Sequence, residues 1–126
     1  MNQIPLLPAF NDDRGTIVDM LENVTINNLT MVTFTIGAIR GNHYHKLTTQ
    51  WNYLVSGRLL IRSRIPGQGI VETVMGAGDF LMISPEERHA FKCLEEATLL
   101  VFTQGPRGGK EYETDTFREV TPLLTP

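Results

Sequence analysis

The chain has 126 residues, close to the commonest domain size, and carries 14 acidic against 11 basic side chains for a net charge of −3. That balance supplies no basic field for nucleic acid or an anionic membrane surface, and no apolar run reaches the ~18 residues that cross a bilayer. Met1 to Phe10 lacks the basic-then-apolar pattern of a secretion signal, and the single cysteine, Cys93, has no partner for an internal disulfide, so a cytoplasmic location is expected.

In chain order the sequence reads as short strands. Val24 to Ile36 is rich in Thr, Val, Ile and Phe, which suit a pleated, half-buried surface. Further strands are expected over Asn52 to Val55, Leu59 to Ile65, Ile70 to Val74, Asp79 to Ile83 and Ala97 to Thr103. Turn signals separate them at Ser56-Gly57, Pro66-Gly67-Gln68-Gly69, Gly76-Ala77-Gly78, Ser84-Pro85-Glu86 and Gly105-Pro106. No segment has a long helical period, and Pro85 to Arg88 allows one turn at most. Short, closely spaced strands predict an all-β sandwich or barrel in one domain over residues 1–126. Phe34, Phe80, Phe91 and Phe102 are expected in the core, and Trp51 and Tyr53 in a core or a subunit contact. Cys93 reads as a buried, inert thiol. The segment from Gln104 to Arg118 opens on a flexible turn. Gly105 to Lys110 could close over a barrel mouth, but a surface loop followed by a strand packed on a partner subunit is the preferred expectation. Pro122 to Pro126 is expected to fray.

The chain's only three histidines are the main functional signal. Strand side chains alternate in direction, so His43 and His45 share a face while Tyr44 points away. Two imidazoles so placed, joined by His89 from a later strand, can grip one metal ion, and this is preferred over surface or hydrogen-bonded histidines. Gln50 would be a weak fourth ligand, because a neutral carbonyl oxygen is a poorer donor than a carboxylate. Without metal, His43 and His45 become acid–base groups. Arg40 stands beside the ligand loop, where Gly41 gives the backbone freedom. Arg40, Lys46, Arg62 and Arg64 are the cations that could meet a phosphate. For Arg62 and Arg64, which share a strand face, solvating that face is the competing and preferred reading.

Gly37 to Gly57, with His43-Tyr44-His45 and Gln50 at the right spacings, resembles the first cupin motif, with Gln50 in place of the usual Glu. Gly78-Asp79 through His89 resembles the second; its proline comes one place late at Pro85, Glu86 replaces the usual Gly, and Cys93 the usual Asn. The resemblance implies a cupin double-stranded β-helix, a jelly-roll barrel, with a motif core at 37–93, a C-terminal extension at 104–126, and pairing into a homodimer.

Two further stretches resemble one branch of that superfamily. They are Asn11-Asp12-Asp13-Arg14-Gly15 with Ile17 and Asp19, and Arg40-Gly41-Asn42-His43-Tyr44-His45-Lys46. The first resembles the entry segment of sugar-nucleotide cupins, which the dTDP-sugar 3,5-epimerases share more loosely; the second, with Gln50 shortly after, resembles the nucleotide-sugar 3,4-ketoisomerases and the zinc-carrying cupin of some capsular-polysaccharide reductases. His89 departs from the ketoisomerase pattern. The branch implies a sugar-nucleotide isomerase or epimerase-like enzyme of cell-surface polysaccharide synthesis, acting on a nucleotide sugar. The resemblance leaves open whether its histidines hold zinc, iron, manganese or nickel or work without a metal. The alternatives are a three-histidine metal-dependent dioxygenase of a small molecule and a non-catalytic ligand-binding or sensor cupin.

Overall fold

Two long strands form the spine of the structure, a computed structural model that describes residues 1–107 and 111–126 (for 111 and 112, the backbone only). Strands β6 (Thr49–Arg64) and β9 (Arg88–Gln104) pair antiparallel from Thr49 opposite Gln104 to Arg64 opposite Arg88. Shifts in register between Leu54 and Leu59 bend the pair midway, so each strand serves two sheets. β1 (Asn2–Gln3), β8 (Phe80–Ile83), the first half of β6, the second half of β9 and β4 (Asn28–Phe34) make one sheet. β7 (Val71–Gly76), the second half of β6, the first half of β9, β5 (Ile39–Tyr44) and β10 (Phe117–Arg118) make the other. A separate hairpin pairs β2 (Phe10–Asp12) with β3 (Gly15–Ile17), and one short helix, α1, spans Glu111–Thr114.

Alternation along the spine explains the interior. Near the bend the inward positions are apolar. Leu54, Leu81 and Leu99 from one sheet meet Leu59, Ile61 and Cys93 from the other in a single buried cluster. Away from the bend they turn polar, with Gln50, Asn52 and Thr103 on one sheet and Ser63 and His89 on the other, all buried. The molecule is therefore greasy at its closed end and polar at its open end.

Several expectations change. Ser56-Gly57 does not end a strand; it is the bulge inside β6. Gly57 has φ +88°, and a Cβ there would lie 2.6 Å from the Ala97 Cα, with the Glu96 carbonyl oxygen closer still. A glycine at positive φ serves a bulge as readily as a turn, which is why the local signal misled. Glu86 adopts φ +70°, the conformation suited to the glycine of the usual motif. Phe34, Phe80 and Phe91 are core residues, but Phe102 is only half-buried. The Cys93 thiol is buried, as expected, and burial raises its pKa. The C-terminal extension docks on its own chain: β10 pairs with β5, and Leu123 and Leu124 are buried against Ala90, Ile39 and Leu60 instead of fraying. Of the loop from Gly105 to Lys110, expected at the surface with a lid as the alternative, residues 108–110 lie outside the described residues.

Gly57→Ala should cost about 3 kcal/mol or more of stability, since it combines overpacking with left-handed backbone strain. Urea unfolding checks this, and an unchanged midpoint would show that the bend does not need a glycine.

Candidate active site

The site begins with an irregularity in β5. Arg40 lies opposite Phe91, Gly41 opposite Ala90, and His43 opposite His89, so Gly41 and Asn42 together oppose one residue of β9. This bulge reverses the alternation. Arg40 and His43, three apart, would face opposite ways on a regular strand; here both face the interior beside their inward partners Phe91 and His89. The local sequence permits it. Gly41 (φ +94°) passes so close to β9 that a Cβ would sit 2.8 Å from the His89 carbonyl oxygen. Asn42 (φ +56°) is of the type that tolerates this region. Its side-chain Oδ1 accepts from the Leu123 and Leu124 backbone N–H groups, and its Nδ2 donates to the Leu124 carbonyl at 3.0 Å.

The three histidines converge. Ring centroids are 4.9 Å apart for His43 and His45, 4.7 Å for His43 and His89 and 5.4 Å for His45 and His89. One nitrogen of each lies within 4.8 Å of the others. The His45 Nδ1–H donates to the Asp115 carbonyl at 2.8 Å, and the His89 Nδ1–H to the Glu87 carbonyl at 2.9 Å. A carbonyl oxygen can only accept, so both rings keep their lone pair on Nε2. Burial lowers all three pKa values. His43 falls to about 2, through burial first and then through the neighbouring histidines and the Arg118 and Arg107 guanidiniums. His89 falls to about 4, mainly through burial. The cluster is therefore neutral at pH 7.

A cavity of about 380 Å³ opens onto this cluster. His43 and His89 line it; His45 packs against both. Its other polar lining is Arg40, Gln50, Asn52, Arg107 and Arg118, and its apolar lining includes Val32, Phe34, Phe91, Leu99 and Val101. Three guanidiniums and no carboxylate line the space, so among the described residues the walls favour an anion. The Arg40 guanidinium carbon stands 5.4 Å over the Phe34 ring, and Nη2 donates to the Thr33 carbonyl at 3.3 Å.

Of the cations proposed from sequence, only Arg40 reaches this space. Arg62 pairs with Glu72 at 2.5 Å and Arg64 with Glu119 at 2.8 Å, both on the outer face of β6. The Lys46 ammonium sits 4.3 Å over the Phe117 ring, also outside the cavity lining. Among the described residues none of the three lines the cavity: strand parity turns Arg62 and Arg64 outward, as their preferred reading had it, and Lys46 lies in the bend after β5. Tyr53 packs towards Phe80 with ring centroids 6.4 Å apart. Glu87 accepts from the Ser84 N–H and pairs with the Met1 ammonium, so neither lines the cavity. Sequence reasoning missed Arg107, Arg118, Asn52 and Asp115. Asn52 was within reach, because it shares its inward parity with Gln50.

A jelly roll with two histidines of a His-x-His strand and a third on the facing strand defines a cupin. The chain belongs to the polysaccharide biosynthesis C-terminal domain family, which it matches over residues 10–104. No curated protein sequence is detectably similar to it. Among solved structures, the sugar 3,4-ketoisomerase QdtA of Thermoanaerobacterium thermosaccharolyticum, in complex with TDP, is 21% identical over 94% of this chain and 88% of its own, with a TM-score of 0.75. The dTDP-4-dehydrorhamnose 3,5-epimerase of Sulfolobus tokodaii is 20% identical over 85% and 70%, with a TM-score of 0.67. The capsular polysaccharide assembling protein CapF of Staphylococcus aureus is 23% identical over 92% of this chain but 35% of CapF, with a TM-score of 0.65. At these identities the likeness establishes the shared cupin fold.

Proposed function

We propose that this chain is a sugar-nucleotide isomerase or epimerase-like enzyme of cell-surface polysaccharide synthesis, with a 4-keto sugar nucleotide as substrate. The observation that carries the reading is the cavity lining: Arg40, Arg107 and Arg118 converge with two neutral histidines, and among the described residues no carboxylate intervenes. Guanidinium forks match diphosphate oxygens, while neutral imidazoles suit proton transfer next to a carbonyl. QdtA has been solved with TDP-4-keto-6-deoxyglucose, a ligand of this chemistry.

Isomerisation needs a base to take the proton alpha to the keto group. The electron pair moves to the carbonyl oxygen; for an isomerase the adjacent hydroxyl then gives up its proton to become the new carbonyl, the former carbonyl oxygen takes a proton, and the former carbonyl carbon is protonated, whereas an epimerase returns the proton to the other face of the first carbon. Among the described residues, the titratable groups lining the cavity besides the arginines are histidines, so proton transfer is assigned to His43, backed by His45 and His89. An arginine and the Asn52 carboxamide, which line the same cavity, would hold developing negative charge.

A second reading has its own support. The carbonyl bonds at Nδ1 of His45 and His89 leave Nε2 as the donor, the usual way a protein prepares histidines for a metal. His43, His45 and His89 would hold zinc, iron, manganese or nickel, with Gln50 lining the same cavity as a weak extra donor. The ion would polarise the keto oxygen as a Lewis acid. A ligating nitrogen cannot also be the base, so full three-histidine ligation leaves the proton-transfer role vacant among the described cavity-lining groups. Iron with oxygen-dependent turnover would point to the dioxygenase, and tight metal without turnover to the sensor.

Two measurements test these readings. By calorimetry, Arg118→Ala should weaken TDP binding about 10- to 100-fold, the loss of a charge-assisted hydrogen bond, while Arg62→Ala should leave it unchanged. Equal binding by the wild type and Arg118→Ala would remove the diphosphate role. Elemental analysis of the tag-free protein should find about one transition metal ion per chain if the donor set is used, with sharp loss in His45→Ala. No metal after incubation with divalent ions would remove the metal reading and leave the histidines as acid–base groups.

A further inference from the structure

We infer that Asp115 is the positioning residue of His45, and that the segment after β9 therefore completes the histidine cluster from a distance of 70 residues. The inference builds on the proposed role of the histidines, but its geometry stands without any substrate.

Asp115 follows α1 and precedes β10, and it is 2% exposed. Its carboxylate accepts from the Lys46 N–H at 2.9 Å, from the Leu47 N–H at 3.2 and 3.1 Å to its two oxygens, and from the Thr48 hydroxyl at 2.6 Å. Its own carbonyl accepts from the His45 Nδ1–H at 2.8 Å. One buried residue thus binds four consecutive residues, 45–48. Charge-assisted bonds to the backbone are strong and directional, so the carboxylate fixes the turn after His45 and, with it, the position of its own carbonyl. The two neighbouring histidines differ in this respect. His89 takes its tautomer from Glu87, two residues away on the same chain segment, whereas His45 depends on docking of the extension. The same docking sets Arg118 opposite His43 in the β5–β10 pair. Without the carboxylate, three donors at 46–48 lose their acceptor, the segment is free to shift, and the His45 ring loses the carbonyl that holds its Nε2 unprotonated.

The test is imidazole nitrogen NMR on the full chain after EDTA treatment, so that no bound ion dictates the tautomer. In the wild type, His45 should show a protonated Nδ1 and an unprotonated Nε2. Asp115→Asn, which keeps the shape and one acceptor oxygen, and Asp115→Ala should both shift His45 towards a mixture with the Nε2–H tautomer. His89 should stay unchanged, because its carbonyl partner is local. An Nε2–H tautomer at His45 in the wild type would overturn the inference without any variant. So would unchanged His45 signals in Asp115→Asn, or His45 and His89 shifting together, which would mark a general loss of structure. TDP binding read on the same variant separates this question from the substrate reading, which can fail while the tautomer result holds.

Discussion

The pairing of β6 with β9 is the constraint on which the rest of the molecule depends. Each strand crosses both sheets, so the bend at Gly57 sets the angle at which the two sheets face one another. Because the pleat alternates with period two, the bend also decides which residues face inward in each half. Near it the inward residues are apolar and close the core; at the far ends they are Gln50, Asn52, Ser63, Thr103 and His89. The polar cavity is therefore the open end of the same packing that gives the fold its stability.

Two features shape that open end into the candidate site. The bulge at Gly41 and Asn42 brings Arg40 and His43 to one face, which regular alternation would forbid. The C-terminal extension then closes around it: Asn42 clamps the backbone at Leu123 and Leu124, Asp115 binds the 46–48 turn, and Arg118 joins the cavity wall. Outside, Lys46, Phe117, Tyr44 and Arg88 form a ladder of cation–ring and ring–ring contacts that holds β10 to β5. Burial keeps the histidines neutral, and the arginines add a positive potential that an arriving diphosphate would offset.

Much of this was legible in the sequence for physical reasons. His43 and His45 share a face because a strand repeats every two residues, and the spacing of the second motif carried His89. The all-β class followed from β-prone runs cut by turn residues. What was not legible depended on tertiary pairing. Nothing local ties Arg107, Arg118 or Asp115 to a histidine some 60 to 75 residues earlier, a separation countable from the sequence but invisible to any periodicity. For Arg62 and Arg64 the solvated face was legible from strand parity, but their partners, Glu72 and Glu119, cannot be inferred from a strand pattern. Pro122 to Pro126 looked frayed because the shelter for Leu123 and Leu124 is the outer face of a sheet that the sequence does not draw.

In the proposed reaction, neutral histidines at the end of an arginine-lined cavity move a proton next to a keto group. The most direct measurement is proton exchange of TDP-4-keto-6-deoxyglucose in deuterated water, followed by NMR with the wild type and with His43→Gln. Deuterium should appear at the carbon alpha to the carbonyl with the wild type, and little with the variant. A wild-type protein that binds the nucleotide sugar yet exchanges nothing above the uncatalysed rate would contradict it and make the chain a binding module.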